Sequence, residues 1–266
     1  MIRALFMRNL RHHAVLLLAL WLGLVLLELA IVRIGAQIEA GPGIRALMEQ
    51  VLPQQFRQII IGQVDLLSFT GLVGFGFQHP LVLTAAAAFL MVVATIPAGE
   101  RETGLLDLIL ARPLPRARYL LAVLLLVVLG ALLFPAAILA GAALGLATVQ
   151  APEQVSLGSY GPAAASLAAL LLAVGGGTLL LASRARRRGV AAAQAAGLWL
   201  LFYWLDVLAG IWKPLASVSW LSPFHYFRPM ESVVLRSTPW FGLAVLLGIF
   251  LAGATLSLLQ FRRQDL

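Results

Sequence analysis

The sequence predicts an all-α integral membrane protein with six transmembrane helices. Two observations carry that prediction. The chain is 61% hydrophobic and only 11% charged, against about 45–50% apolar and about 25% charged in a soluble domain. The apolar residues also gather in long runs, at 14–34, 79–98, 119–148, 163–183, 190–212 and 240–261. Five of the runs are close to the ~20 residues needed to cross about 30 Å of hydrocarbon, and the third is longer. A surface in water needs charge and a surface in lipid must avoid it. No stretch of the 266 residues has soluble composition for long enough to fold alone, so the chain reads as a single transmembrane domain.

The first run is longer than a signal-peptide core of about 7–15 residues, and no clear small-residue cleavage site follows it; it reads as a retained span. Before it, Ile2, Leu5, Phe6, Asn9 and Leu10 fall roughly on one helical face, with Arg3, Arg8 and Arg11 off it. That pattern predicts an interfacial helix over 1–12. The third run contains Pro135 and reads as one helix, tilted or kinked there.

Basic residues orient the spans. With the N-terminus inside, the inner segments hold Arg3, Arg8, Arg11, Arg101, Arg112, Arg116, Arg118, Arg184, Arg186, Arg187, Arg188, Arg262 and Arg263. The outer segments hold Arg33, Arg45, Arg57, Lys213, Arg228 and Arg236. The inner excess places both termini in the cytoplasm. Five or seven spans would spoil the alternation. The net charge of +8 is therefore read as topology and contact with anionic lipid rather than nucleic-acid binding. The chain has no cysteine, which excludes disulfides, thiolate metal sites and a cysteine nucleophile.

The largest outer segment, 35–80, holds Gly41, Pro42 and Gly43, then Ile44, Leu47, Met48, Val51 and Leu52 at helical spacing. An amphipathic helix at the outer interface is expected there. Gly71, Gly74 and Gly76 precede the second span and suggest close backbone packing.

The most informative segment is PAGERETGLLDLILARPLPRARY, from Pro97 to Tyr119. Pro97 and Gly99 are expected to break the second span. Glu100, Arg101 and Glu102 put charge at the membrane surface, and Leu105, Leu106, Leu108, Ile109 and Leu110 form a short apolar helix bearing Asp107. Pro113 and Pro115 stop it. An apolar helix in the cytoplasm reads either as a docking knob for a soluble partner or as a loop helix packed on its own bundle.

The pattern from Gly99 to Arg116, G-E-R-E-x-G-x-L-D-L-x-L-A-R-P-L-x-R, resembles the coupling-helix segment in the membrane (permease) subunits of type-2 ABC exporters. WLSPFHYFRP, from Trp220 to Pro229, is similar to that family's segment before the last span. The resemblance implies a cytoplasmic coupling helix over 99–116 that docks an ABC ATP-binding subunit. Contact would run through Glu100, Arg101, Glu102, Gly104, Leu105, Leu106, Leu108, Arg112, Pro113 and Arg116. It also implies short re-entrant helices before the last span, suited to Pro214, Pro223, Pro229 and Pro239. The expected protein is a multi-pass permease of the cell (inner or plasma) membrane, pairing with a second copy or a sister chain. The resemblance implies a transport subunit and no enzyme. The chain has no G-x-x-x-x-G-K-[ST] phosphate loop; Gly175, Gly176 and Gly177 sit inside a span with no lysine after them. The resemblance therefore assigns ATP and magnesium to the partner ATPase, with no cofactor in this chain.

Glu28 and Asp206 lie at similar depth in the first and fifth spans. A mid-bilayer carboxylate costs about 2.5–3.5 kcal/mol on insertion scales. Either they line an outward vestibule, with Phe202 and Tyr203 as candidate pathway residues, or each pairs with a nearby base, Arg33 for Glu28 and Lys213 for Asp206. The aromatics Trp199, Phe202, Tyr203, Trp204 and Trp212 read as packing and an interface belt. The alternative function is a proton-coupled secondary transporter using Glu28 and Asp206. An intramembrane hydrolase at Ser159 has little support, because G-S-Y-G lacks G-x-S-x-G spacing and no histidine sits within a span. No histidine pair has metal-binding spacing.

Overall fold

The structure, a computed structural model, describes residues 2–40, 68–111, 115–149, 155–234 and 237–263. Among these residues it is all-helical, and six helical stretches are long and apolar enough to cross a membrane. The predicted amphipathic helix of the 35–80 segment falls on 44–63, outside the described residues.

The first helix, α1, is continuous over Ile2–Ala40. Residues 2–12 are thus the opening turns of the same helix as the 14–34 span. The reason is local: no proline or glycine occurs before Gly23, so nothing ends the helix between stretch and span. At 1.5 Å per residue its 39 residues reach about 58 Å, longer than the hydrocarbon layer.

The second span begins earlier than the 79–98 run. It comprises α2 (Phe69–Phe75), a 3-10 turn (Gly76–Gln78) and α3 (Pro80–Ala94). Ser68 Oγ caps α2 by accepting from Gly71 N at 3.1 Å. His79 Nδ1 accepts from Leu81 N at 3.2 Å, and Pro80, which lacks an N–H, fits the first position of α3. The span ends at Thr95, whose hydroxyl turns back to Met91 O at 2.9 Å. Pro97 lies in the first turn of α4 (Ile96–Glu102) and Gly99 inside that helix. The expected break at Pro97 and Gly99 is therefore displaced, because proline is tolerated where the N–H has no helical partner. The rest of the predicted coupling segment contains α5 (Leu105–Leu110).

The third span, α6 (Arg116–Thr148), is helical through Pro135. A 3-10 turn (Leu157–Tyr160) leads into α7 (Gly161–Arg184), and α8 (Arg188–Ile211) follows after a short turn. Short elements then fill the chain before the last span: α9 (Lys213–Ala216), 3-10 turns at Ser219–Leu221 and Pro223–Tyr226, and α10 (Pro229–Val234). Pro214, Pro223 and Pro229 each stand in the first turn of one of them. The last span is α11 (Trp240–Arg263).

α7 is the most deeply buried span and touches α3, α6, α8, α10 and α11. Its three consecutive glycines meet three different helices. A Cβ on Gly175 would collide with Val127 of α6. One on Gly176 would sit 3.0 Å from the Phe250 carbonyl oxygen of α11, and one on Gly177 would be 2.8 Å from the Trp199 ring of α8. Between helices in lipid, close van der Waals approach replaces the hydrophobic effect as the source of association. The same device joins α1 to α6. A Cβ on Gly141 would lie 2.5 Å from Val25 O, and one on Gly145 would lie 2.6 Å from Val32 Cβ. Gly141 and Gly145 are four apart, one helical turn, so they line a single groove for α1.

Gly176→Leu should lower the thermal unfolding midpoint of the purified protein, at a cost of roughly 1–3 kcal/mol from overpacking. Gly248→Leu is the matched control, because nothing lies within 4 Å of a Cβ at Gly248; its midpoint should stay close to wild type.

Candidate functional site

The two short helices after the second span sit where the basic ends of the spans converge. α4 carries Glu100, Arg101 and Glu102 in succession, and each reaches a different neighbour. Glu100 Oε1 pairs with Arg8 Nη2 of α1, and its Oε2 accepts from the Tyr119 hydroxyl of α6 at 2.5 Å. Arg8 also donates to Asn9 Oδ1 at 3.0 Å. The Tyr119 ring stacks on Phe261 of α11, with centroids 5.6 Å apart.

Arg101 turns to the end of α7. Its Nη1 donates to Ala185 O at 2.7 Å and to Ser183 O at 3.2 Å, and its Nη2 to Ser183 O at 3.3 Å. These carbonyls belong to the terminus where a helix lacks backbone partners and where the macrodipole favours a cation. The Arg101 guanidinium also stands 5.9 Å from the Phe261 ring centroid. Burial draws its pKa below the ordinary arginine value, opposed by Tyr119 and Asp107; arginine nevertheless stays charged in proteins. Glu102 Oε2 accepts from Arg188 N, the first residue of α8, at 2.8 Å. An acidic side chain there satisfies an orphan N–H and suits the positive end of the dipole. Arg188 returns toward the second span, donating to Val92 O at 3.1 Å and Thr95 Oγ1 at 3.5 Å.

Gly104 separates α4 from α5 with φ +71. A side chain in that left-handed conformation would cost roughly 1–2 kcal/mol, so glycine is what allows the chain to fold back there. On α5, Leu106 is fully buried and Ile109 and Leu110 pack against the core. Leu105 and Leu108 face outward, 40% and 71% exposed. Arg116 opens α6. Arg112 and Pro113 fall outside the described residues. The residues expected to contact an ATPase thus divide: Glu100 and Arg101 hold the bundle, Glu102 caps α8, Leu106 is core, and Leu105 and Leu108 are open.

Sequence reasoning did not single out Arg8, Tyr119, Arg188 and Phe261 as partners of this motif. Arg8 counted there toward the interfacial helix and topology, and Arg188 toward topology alone. Their separation along the chain leaves no local signal; Arg8 and Glu100 lie 92 residues apart.

The candidate pathway residues lie in two separate places. Glu28 is fully buried, and neither carboxyl oxygen has a hydrogen-bond partner among the described residues. It is packed against Gly76 and Gly141. The expected pairing with Arg33 is overturned, because Arg33 Nε instead donates to Thr148 Oγ1 at 3.4 Å. Asp206 faces His225, with Oδ1 3.9 Å from Nδ1, rather than Lys213. Phe202 meets the Trp199 ring edge-on at 5.9 Å, and its carbonyl accepts from Ser222 Oγ at 2.8 Å. Tyr203 packs edge-on against Phe224 at 5.5 Å. The fifth-span aromatics divide likewise: Trp199 is buried, with Nε1 3.3 Å from Thr178 Oγ1, whereas Trp204 and Trp212 are exposed. Ser159 Oγ donates to Ser156 O at 2.6 Å inside a 3-10 turn.

Glu28→Gln removes no polar contact, so it should leave thermal stability within about 1 kcal/mol of wild type. Midpoints of the two purified proteins, measured side by side, check this. A larger loss would mean that the carboxyl has a partner.

Among curated proteins the sequence finds no match. A family model described as ABC-2 family transporter protein matches residues 7–266. That match takes in every span and both short helices of the charged segment. The chain belongs to the ABC-2 transporter family and is a transport membrane subunit, an ABC permease.

Proposed function

We propose that this permease is the membrane half of an ATP-driven exporter and docks a separate ATP-binding subunit through the α4–α5 elbow. The observation that carries the reading is the outward pair Leu105 and Leu108. They stand on a short helix whose opposite face is core and whose preceding helix is bonded to α1, α6, α7 and α8. An apolar face on so well-anchored a support suits insertion into a cleft of a soluble partner. ATP and magnesium belong to that partner, because the chain carries no phosphate loop.

The elbow is cytoplasmic in this reading. It shares its end of the bundle with the start of α1 and the end of α11 and with the arginine-bearing ends of α6, α7 and α8, as the positive-inside rule requires. The opening turns of α1 lie at the inner interface, and the short helices from Lys213 to Val234 fold back into the outer leaflet. A second copy, or a sister chain, completes the pathway. Proton coupling through Glu28 and Asp206 is the weaker reading. The family is one of ABC permeases, and the two carboxylates meet different residues: Glu28 meets Gly76 and Gly141, Asp206 meets His225.

Leu105→Asp with Leu108→Asp should abolish co-purification of an ABC ATP-binding subunit co-expressed with the permease, while the variant keeps its helical circular dichroism and elution volume. Retention of the ATPase by the double aspartate, or failure of the wild type to bind it, would end this reading. The absence of cysteine allows a direct test of orientation. A single Arg186→Cys should react with an impermeant maleimide only after the cells are opened; labelling of intact cells would invert the topology.

A further inference from the structure

Two adjacent residues of α4 bind the two sides of one turn. Arg101 holds the last carbonyls of α7, at Ser183 and Ala185. Glu102 holds the first N–H of α8, at Arg188. Arg188 then lies across α4, close to Gly99, and reaches Val92 O and Thr95 Oγ1. The turn between α7 and α8 is therefore gripped from both ends by α4, the first helix of the elbow.

α8 is held unevenly. Its buried residues are Ala191, Ala195 and Trp199, all in its first half. Beyond Trp199, Leu200, Leu201, Leu208 and Ile211 are exposed. The far half is bonded to the short 3-10 segment instead, through Ser222 Oγ to Phe202 O at 2.8 Å. From Trp199 to Ile211 the arm is about 18 Å long. A helix seated at one end, with its other end on a short connecting segment, turns about its seat when the seat is displaced.

We propose that Arg101 and Glu102 are positioning residues that lock the start of α8 to the elbow, so that displacement of α5 by a bound ATPase swings the far half of α8. The inference rests on the docking role proposed above and adds which span moves and which side chains move it. Arg101 and Glu102 act through α7 and α8 rather than on the ATPase or cargo. Coupling of this kind needs a two-state element that the partner biases, and α8 is that element.

The test uses the permease–ATPase complex in lipid nanodiscs, with a nitroxide on Leu208→Cys in the otherwise cysteine-free chain. ATP, magnesium and vanadate should change the spectrum or the distance between labels on paired copies. Arg101→Ala with Glu102→Ala should keep the ATPase bound in normal ratio yet shrink that change severalfold. Glu102→Asp, which retains an acceptor for Arg188 N, should restore much of it when combined with native Arg101. If the double variant does not fold, Glu102→Ala alone and Arg188→Met serve, with loss expected in the same direction. An unaltered nucleotide response in variants that bind the ATPase overturns the proposal. So does a wild-type complex whose label never responds. Release of the ATPase by the alanine variants overturns it too, by making these side chains docking residues. If the wild type binds no ATPase at all, the docking role itself fails, and the lever falls with it.

Discussion

The close approach of helices around α7 is the constraint on which the rest depends. Gly175, Gly176 and Gly177 admit α6, α11 and α8 on successive faces, and the Trp199–Thr178 bond fixes the last of these contacts. In lipid, apolar side chains gain little by meeting one another rather than acyl chains. Shape and contact distance then decide which helices pair. The triplet sits in a run that superficially invites a phosphate-loop reading. Its work is steric, because each missing side chain is occupied by a neighbour.

That packing brings the basic ends of the spans together, and the charged motif on α4 closes them. Glu100 joins α1 and α6, Arg101 ends α7, and Glu102 begins α8. Exposed ion pairs contribute little alone, with about 0–1 kcal/mol typical. Here the side chains also satisfy backbone groups at two helix ends, which must otherwise find water. The motif is thus an internal fastener, and it leaves the neighbouring leucines of α5 as the free face. A support joined to four spans and a projecting apolar pair form the arrangement a transport subunit needs if energy enters from another chain.

The same separation of tasks explains Glu28. Its carboxyl is enclosed by α1, Gly76 and Gly141, with no polar partner among the described residues. Asp206 belongs to a different setting, beside His225 near the short helices. Similar depth along two spans did not make them neighbours, since depth constrains position along the membrane normal and leaves position within its plane open.

The number of spans, their apolar runs and the alternation of arginines were legible in the sequence, because lipid imposes length and charge rules on each segment separately. The short apolar helix at Leu105–Leu110 was legible as well, through its run of charge, glycine, leucine and proline. Helix ends moved where proline and capping side chains acted locally, as at Ser68, His79 and Thr95. Only the tertiary structure decided the partners of Glu100, Arg101 and Glu102, the face of α5 that stays open, and the isolation of Glu28. Those depend on which helices stand side by side. That choice follows from the fit of small residues against particular neighbours far away in the chain, and hydropathy does not record it.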